Sequence, residues 1–117
     1  MCTKDERNEI VHSLMRRFGI TSRYKGYYQT IEAVLIYSKL LKDEKVVLVT
    51  KDIYPEIAKI RNESQSSIER NIRTVVEVCW RNNQKELEKT FGFEIPFKPS
   101  NGEFLDMLSY YLNKKFW

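Results

Sequence analysis

The stretch SQSSIERNIRTVVEVCW, residues 64–80, decides the fold class because it reads as one amphipathic helix. At about 100° per residue, its apolar side chains gather on one face. That face is formed by Ile68, Ile72, Val75, Val76 and Cys79, with Trp80 at its edge. The opposite face carries the polar residues Ser66, Ser67, Glu69, Arg70, Arg73, Thr74 and Glu77. The stretch therefore predicts a helix that buries one face and turns a polar face away from the core.

A shorter helix is predicted directly before it, in the segment PEIAKIR. Pro55 suits the first turn, where its missing N–H group costs nothing, and Asn62 can adopt the left-handed conformation that ends a helix. Ser64 or Ser66 then offers an N-cap for the longer helix. Two helices joined by so short a link form the helix-turn-helix pattern, whose second helix lies in the DNA major groove. We place this unit at about residues 53–82.

The rest of the chain also reads as helical. Four glycines and three prolines are few interruptions in 117 residues, and the 13% aromatic content argues against disorder. The spacing of apolar residues, or capping residues at the start, predicts further helices at about residues 5–19, 27–43, 83–92 and 100–117. The predicted fold is all-α, with about six helices around the helix-turn-helix, in a single domain spanning residues 1–117.

Two segments leave alternatives open. In EKVVLVTKDIYPEIAKIRN, residues 44–62, the core VVLVT is apolar and β-branched like a strand. No second convincing strand could pair with it, so we expect helix there. Gly26 marks either a break or a helix start. The last helix has a clearer signal, because Ser100 and Asn101 are capping residues and Glu103 follows closely.

Composition excludes several classes of function. The formal net charge of +4 permits nucleic-acid binding without demonstrating it. One histidine and two cysteines cannot supply the roughly four ligands of a zinc site, and no nucleophile motif or phosphate-cradling loop occurs. No apolar run approaches the roughly 20 residues that span a bilayer. We therefore expect no enzyme activity, cofactor, metal or membrane partner and, without a signal peptide, a cytoplasmic location.

The chemistry of the polar face suits the reading of duplex DNA. Arginine can bind guanine O6 and N7 bidentately, glutamate can accept a hydrogen bond from cytosine N4, and threonine can contact a thymine methyl group. Serines at a helix start can hold a phosphate together with backbone N–H groups. Glu69 and Arg73 are four residues apart, so an ion pair can orient Arg73. The alternative is an ordinary solvated face, which geometry alone does not distinguish.

Five segments, in their order and spacing, resemble the C-terminal effector domain of the sporulation stage-zero response regulator family, the master regulators of sporulation initiation. They are KGYYQTIEAV, VTKDIYPEIAK, SSIERNIRTVVEVCW, FGF and KPSNGEF, within roughly residues 11–113. The resemblance implies an all-helical domain that binds double-stranded DNA near promoters, often as tandem copies, and regulates transcription. It also implies a recognition helix at 66–82, with base or backbone contacts from Glu69, Arg70 and Arg73.

Two departures from the family lie on the polar face, where Ser67 replaces the usual arginine and Thr74 the usual histidine. They leave open a different operator or a lower affinity. The DNA-binding set that we carry forward is Ser66, Ser67, Glu69, Arg70, Arg73 and Thr74. A third departure, Arg61 in place of an aromatic residue, implies that the preceding helix packs differently or that Ile60 takes over the aromatic role.

The departures also support an alternative function, a helical protein-interaction module that binds RNA polymerase or a full-length regulator and has lost specific DNA reading. Its surface would be NQKELEKTFGF, where the resemblance places contact with the polymerase, or the aromatic end YYLNKKFW. The family's regulator also has an N-terminal receiver domain that is phosphorylated on aspartate. This sequence begins almost at the effector domain with a methionine, which favours a small protein without a receiver over an excised fragment.

Overall fold

The computed structural model of the chain describes residues 4–115, and within that range the fold is all-α, as predicted. Its helices are α1 (Lys4–Arg17), α2 (Gly26–Lys42), α3 (Tyr54–Arg61), α4 (Gln65–Phe91) and α5 (Asn101–Lys115). A π-helical turn, Val49–Ile53, leads directly into α3. None of the helices in the described part of the chain is long and apolar enough to cross a membrane.

The count of five α-helices within the described range, instead of about six, comes from α4. We expected separate helices at 66–82 and 83–92, but α4 runs through both and starts at Gln65. Asn83 has non-helical angles, φ −140° and ψ 34°, so α4 consists of two helical segments joined at a kink, which falls at the boundary expected between 66–82 and 83–92. The side-chain amide of Asn83 donates a 2.7 Å hydrogen bond to the carbonyl oxygen of Phe18. This bond anchors the bend to the segment that follows α1.

The helix expected at VVLVT, residues 46–50, is not present as an α-helix. Residues 45–48 have no regular secondary structure, whereas Val49–Ile53 forms the π-helical turn and α3 follows. The N–H of Leu48 donates to a carboxylate oxygen of Asp52 at 2.9 Å, which closes the start of this turn. VVLVT is therefore neither a strand nor an α-helix. No strand lies among residues 4–115 to pair with it, and it forms part of the link from α2 to α3.

The local signals of the helix-turn-helix are confirmed. Pro55 lies in the first turn of α3, and Asn62 ends that helix in the left-handed conformation, with φ 54° and ψ 47°. Ser64 is the N-cap of α4, since its hydroxyl accepts a 3.1 Å hydrogen bond from the N–H of Ser67. A cap of this kind stabilises a helix by about 1 kcal/mol. The link between α3 and α4 is thus only residues 62–64.

The starts of α5 and α2 follow from equally local signals. Glu103 and Ser100 form a capping box: the N–H of Glu103 donates to Ser100 Oγ at 3.1 Å, and the N–H of Ser100 donates to a Glu103 carboxylate oxygen at 2.9 Å. These bonds hold the pKa of the Glu103 carboxyl below its usual value. Gly26 is the first residue of α2, which resolves the alternative left open there.

The core surrounds α2, which packs against both α4 and α5. The apolar face predicted for α4 is buried in it, as are side chains of the other helices; they include Val11, Phe18, Ile31, Val34, Ile57, Ile68, Ile72, Val75, Val76, Cys79, Phe104 and Leu108. Helices α2 and α4 come very close together at Gly26. A Cβ at this position would lie 2.7 Å from the carbonyl carbon of Asn71 and 2.9 Å from Cγ2 of Val75. The absence of a side chain at Gly26 therefore lets α2 begin directly against α4.

The end of α3 and the turn that follows it make polar contacts with α2. Ile60 does not take over the role of the family's aromatic residue, because 61% of its surface is exposed. Arg61 instead forms an ion pair with Glu32 of α2. The buried Gln29, on the same helix, donates from Nε2 to a carboxylate oxygen of Glu63 at 3.3 Å. An ion pair and an amide hydrogen bond therefore connect this region to α2, where the sequence had suggested an apolar contact through Ile60.

Candidate nucleic-acid interface

The polar side of α4 forms a continuous surface, which we call the reading face. The burial of the opposite side in the core fixes the rotation of the helix and turns this face outward. Ser66, Arg70, Arg73 and Thr74 are exposed, and Ser67 and Glu69 are partly exposed. The structure therefore brings all six residues predicted from the sequence onto the same face.

Arg73 and Glu69 form the ion pair that their spacing predicts. Arg73 Nη1 lies 3.3 Å from Glu69 Oε1, and the side chains are 54% and 38% exposed, respectively. An exposed pair of this spacing contributes only about 0.3–0.5 kcal/mol. A phosphate or a base edge can therefore replace the carboxylate at little cost. The pair therefore orients Arg73 and still leaves its guanidinium able to bind another partner.

Arg70, also on the reading face, has weaker polar contacts than Arg73. Its Nη2 lies 3.4 Å from Ser67 Oγ, which is long for a hydrogen bond. It forms no salt bridge with any residue in the described range. Its backbone carbonyl accepts a 3.1 Å hydrogen bond from the hydroxyl of Thr74. Because that hydroxyl is satisfied within the helix, Thr74 offers mainly its methyl group to a partner.

The start of α4 has fewer free donors than the sequence suggested. The N–H of Ser67 is committed to its N-cap, Ser64, and so does not point freely at a phosphate. The hydroxyl of Ser66 lies 3.2 Å from the hydroxyl of Ser64. Phosphate binding by the serines would therefore rest on their side-chain hydroxyls rather than on the N–H group of Ser67.

Three residues outside α4 hold the reading face in place and were not predicted to do so. The side-chain amide of Asn101 lies 3.0 Å from the hydroxyl of Tyr54 and 3.1 Å from the carbonyl oxygen of Glu69. Lys98 Nζ lies 3.0 Å from Glu77 Oε1, which lowers the pKa of that carboxyl. Burial raises the pKa of the Tyr54 phenol above its ordinary value. Nothing in the segment KPSNGEF indicates these partners, because they lie far away in sequence.

A second surface, which we call the aromatic groove, lies between the end of α4 and α5. It is a cavity of about 640 Å³ lined by residues that include Phe91, Phe93, Met107, Tyr110 and Tyr111. Phe93 is 55% exposed and Tyr110 is 63% exposed. The groove thus combines parts of the two segments considered above for protein interaction, NQKELEKTFGF and YYLNKKFW. The last two residues of the second segment lie outside the described residues.

The described residues show little that suits covalent or metal chemistry. No group of three or more His, Cys, Asp or Glu side chains among them could hold a metal ion. The Cys79 thiol is fully buried in the core, and burial raises its pKa to about 12. Because the thiolate is the reactive form, this cysteine acts as a small apolar core residue.

Comparison with known families agrees with the geometry of the fold. Residues 11–112 match the family model described as "Sporulation initiation factor Spo0A C terminal". The matched range includes the helix-turn-helix, the whole reading face and most of α5. It confirms the resemblance found in the sequence, and this family is a DNA-binding regulatory one rather than a family of enzymes. The chain therefore belongs to the family of the C-terminal DNA-binding domain of the sporulation initiation factor Spo0A.

Proposed function

We propose that this protein binds specific sequences in double-stranded DNA by placing α4 in the major groove, and that it regulates transcription from there. One observation carries the proposal: Arg70 is exposed and without a salt-bridge partner in the described range, on a helix whose other side is buried. A helix about 10–12 Å across fits a major groove about 12 Å wide. Family membership supports duplex DNA as the partner, and the reading face supports α4 as the surface that meets it.

The residues of the reading face take different roles in this proposal. Arg70 binds a guanine edge bidentately, a contact that discriminates against other bases by about 1–3 kcal/mol. Arg73 contacts a second base or a phosphate, and Glu69 orients it or accepts a hydrogen bond from cytosine N4. Thr74 contacts a thymine methyl group. Ser66 and Ser67 supply shorter contacts at the start of the helix, close to the backbone of one strand.

The operator itself is proposed to differ from the family's operator at two positions. Ser67 and Thr74 reach less far than the arginine and histidine that they replace. The base pairs opposite them are therefore read by weaker contacts, and the preference at those pairs is relaxed or changed. Binding to chromosomal DNA also requires access to the nucleoid, in keeping with the cytoplasmic location expected from the sequence.

The experiment that tests this function is selection of bound duplexes from a random pool, followed by fluorescence anisotropy with the recovered sequence. Arg70→Ala and Arg73→Ala should each weaken binding, and Arg70→Ala by roughly 5- to 150-fold if one bidentate contact is lost. Lys39→Ala, on α2, is the control that removes one exposed charge elsewhere. The proposal fails if no sequence is enriched, or if both arginine variants bind like the control.

Tandem association on DNA is a further proposal from the resemblance. Duplexes that carry one or two copies of the recovered operator would be compared by sedimentation velocity at equal protein concentration. Binding of the second protein molecule should be tighter than binding of the first if the copies contact each other. Equal, independent affinities for the two sites would exclude such contact.

A second candidate function is favoured by the aromatic groove. Large exposed aromatic side chains around an apolar cavity are typical of protein interaction sites. RNA polymerase or a full-length regulator would dock there. A pull-down with each partner, comparing the parent protein with Tyr110→Ser, tests this function. Capture that is lost in the variant, together with no enriched duplex in the selection, would favour this function over DNA reading.

A further inference from the structure

Two clefts flank the reading face on opposite sides. At about 100° per residue, Asn71 and Thr74 lie to one side of Arg70, whereas Glu69 and Arg73 lie to the other. The first pair lines a cleft of about 230 Å³. The second pair lines a separate cleft of about 430 Å³, next to the start of α5. A helix in the major groove has the phosphates of the two DNA strands along its two sides, so each cleft faces the position of one strand.

The smaller cleft has its far wall in the connector between α1 and α2. The residues of this wall are Arg23, Tyr24, Lys25 and Gly26. The wall lies against α4 because the start of α2 touches the carbonyl of Asn71, a contact that only glycine permits there. The cleft is therefore a fixed feature of the way in which α2 packs on the recognition helix.

The connector is held in a defined conformation by its own hydrogen bonds. The N–H of Tyr24 donates to the carbonyl of Thr21 at 3.1 Å, and the N–H of Tyr27 donates to the carbonyl of Tyr24 at 3.0 Å. The guanidinium of Arg23 lies 6.0 Å from the centre of the Tyr24 ring, within the range of a weak cation–π contact. The two cationic side chains of this wall thus start from an ordered backbone.

The charge of this wall is not compensated within the described residues. Arg23 and Lys25 are exposed and form no salt bridge with any residue from 5 to 115. No Asp or Glu occurs anywhere in residues 10–31. The opposite wall of the cleft contributes only the neutral side chains of Asn71 and Thr74. The result is a local excess of positive charge beside the reading face.

In the larger cleft, on the other flank, the positive charges are paired. Its lysine, Lys98, is paired with Glu77 at 3.0 Å, and its arginine, Arg73, is paired with Glu69 at 3.3 Å. Both cations there already have carboxylate partners. The uncompensated charge therefore lies on the connector side, which makes that flank the more electropositive of the two.

We propose that Arg23 and Lys25 bind backbone phosphates of the DNA strand that borders the groove on the Thr74 side of α4. The proposal rests on the proposed function and names a surface that lies outside the recognition helix. Contacts of this kind add affinity without sequence preference and set the register of the helix in the groove. Each phosphate that is neutralised adds about 0.9 to the slope of log affinity against log salt concentration.

The test compares Arg23→Ala/Lys25→Ala with Lys39→Ala/Lys85→Ala, a control that also removes two exposed positive charges. Lys39 is about 20 Å along α2 from the cleft, and Lys85 is about 16 Å along α4 from Thr74, at about 1.5 Å per residue. The connector variant should lower the salt slope by about 2 relative to the parent. It should weaken binding to the selected operator and to a scrambled duplex by the same factor, whereas the control should match the parent.

A second measurement locates the contact. Single phosphates along both strands of the operator would be replaced by uncharged methylphosphonates. One or two positions on one strand should weaken binding of the parent but leave the connector variant unaffected. The inference is overturned if the connector variant has the slope and the methylphosphonate profile of the control. If Arg70→Ala still loses sequence preference in that case, the proposed function survives; if the parent binds no duplex, both fail together.

Discussion

The side-chain amide of Asn101 donates a hydrogen bond to the carbonyl oxygen of Glu69 across 3.1 Å. The same amide lies 3.0 Å from the hydroxyl of Tyr54. A single residue in the first turn of α5 is thereby joined to both helices of the helix-turn-helix. These two bonds tie α3 and α4 to α5, a helix outside the helix-turn-helix.

Asn101→Ala should lower the free energy of unfolding by about 1–3 kcal/mol, because it removes a donor from a partly buried carbonyl and a hydroxyl. Asn101→Asp should be destabilising as well, although aspartate suits a helix start, because it replaces the donor by an acceptor. Urea unfolding measures both. Asn82→Ala, an exposed change on α4, is the control and should stay within about 0.5 kcal/mol of the parent. An aspartate variant as stable as the parent would show that the donor of the Asn101 amide does not contribute to stability.

Gly26→Ala should destabilise the protein by about 1–3 kcal/mol, because the new Cβ meets the backbone of Asn71, which cannot yield as a side chain can. Gly102→Ala is the matched control, since its Cβ would meet only side-chain atoms of Val49 at 3.9 Å and of Ser100 at 4.0 Å. Alanine there should be neutral or stabilising by up to about 1 kcal/mol, as expected in a helix. Thermal unfolding of the two variants would contradict this account if both midpoints moved equally.

Ser67→Arg and Thr74→His restore the residues typical of the family on the reading face. We expect each to tighten binding to one base pair by about 1–3 kcal/mol if the longer side chain reaches a base edge. Repeating the duplex selection with each variant measures the effect, and a single operator position should change its preferred base. Ser66→Arg, one residue away, tests whether any added arginine does the same. Identical shifts in the Ser66 and Ser67 variants would show that only charge was gained.

The stability of the fold should fall above pH 10, in part through Tyr37. Burial, a hydrogen bond to Asp106 and the charge of that carboxylate raise the pKa of Tyr37 from 10.0 to about 12. Between these values the unfolded chain releases the phenol proton while the folded chain keeps it, so rising pH favours unfolding. Tyr37→Phe should flatten the fall in unfolding free energy between pH 10 and 12, as measured by urea titration. Tyr110 is 63% exposed, so Tyr110→Phe should show the same pH dependence of unfolding free energy as the parent.

Local patterns predicted the elements that local chemistry determines. The N-cap at Ser64, the left-handed Asn62 and the capping box of Ser100 and Glu103 were all recognisable from residues within a few positions of each other. The burial of the apolar face of α4 followed from its period. The six residues of the reading face could be placed together for the same reason, since a single helix carries all of them.

Contacts between distant segments were not predictable in this way. The bend at Asn83 depends on the carbonyl of Phe18, which lies 65 residues earlier. The link of Asn101 to Glu69 spans 32 residues. The position of the basic wall of the connector beside Asn71 was not predicted, because Asn71 comes from a helix that begins about 40 residues later. Such relationships follow from packing, which hydrophobic periodicity does not encode.

The bend at Asn83 divides α4 into two segments that carry different surfaces. The reading face ends before the bend, whereas the aromatic groove begins after it, at Thr90. The amide of Asn83, held by the carbonyl of Phe18, fixes the point at which the two segments meet. If the reading face binds DNA and the aromatic groove binds a protein, as proposed, substitutions on one segment of α4 can change one partner and leave the contacts of the other segment in place.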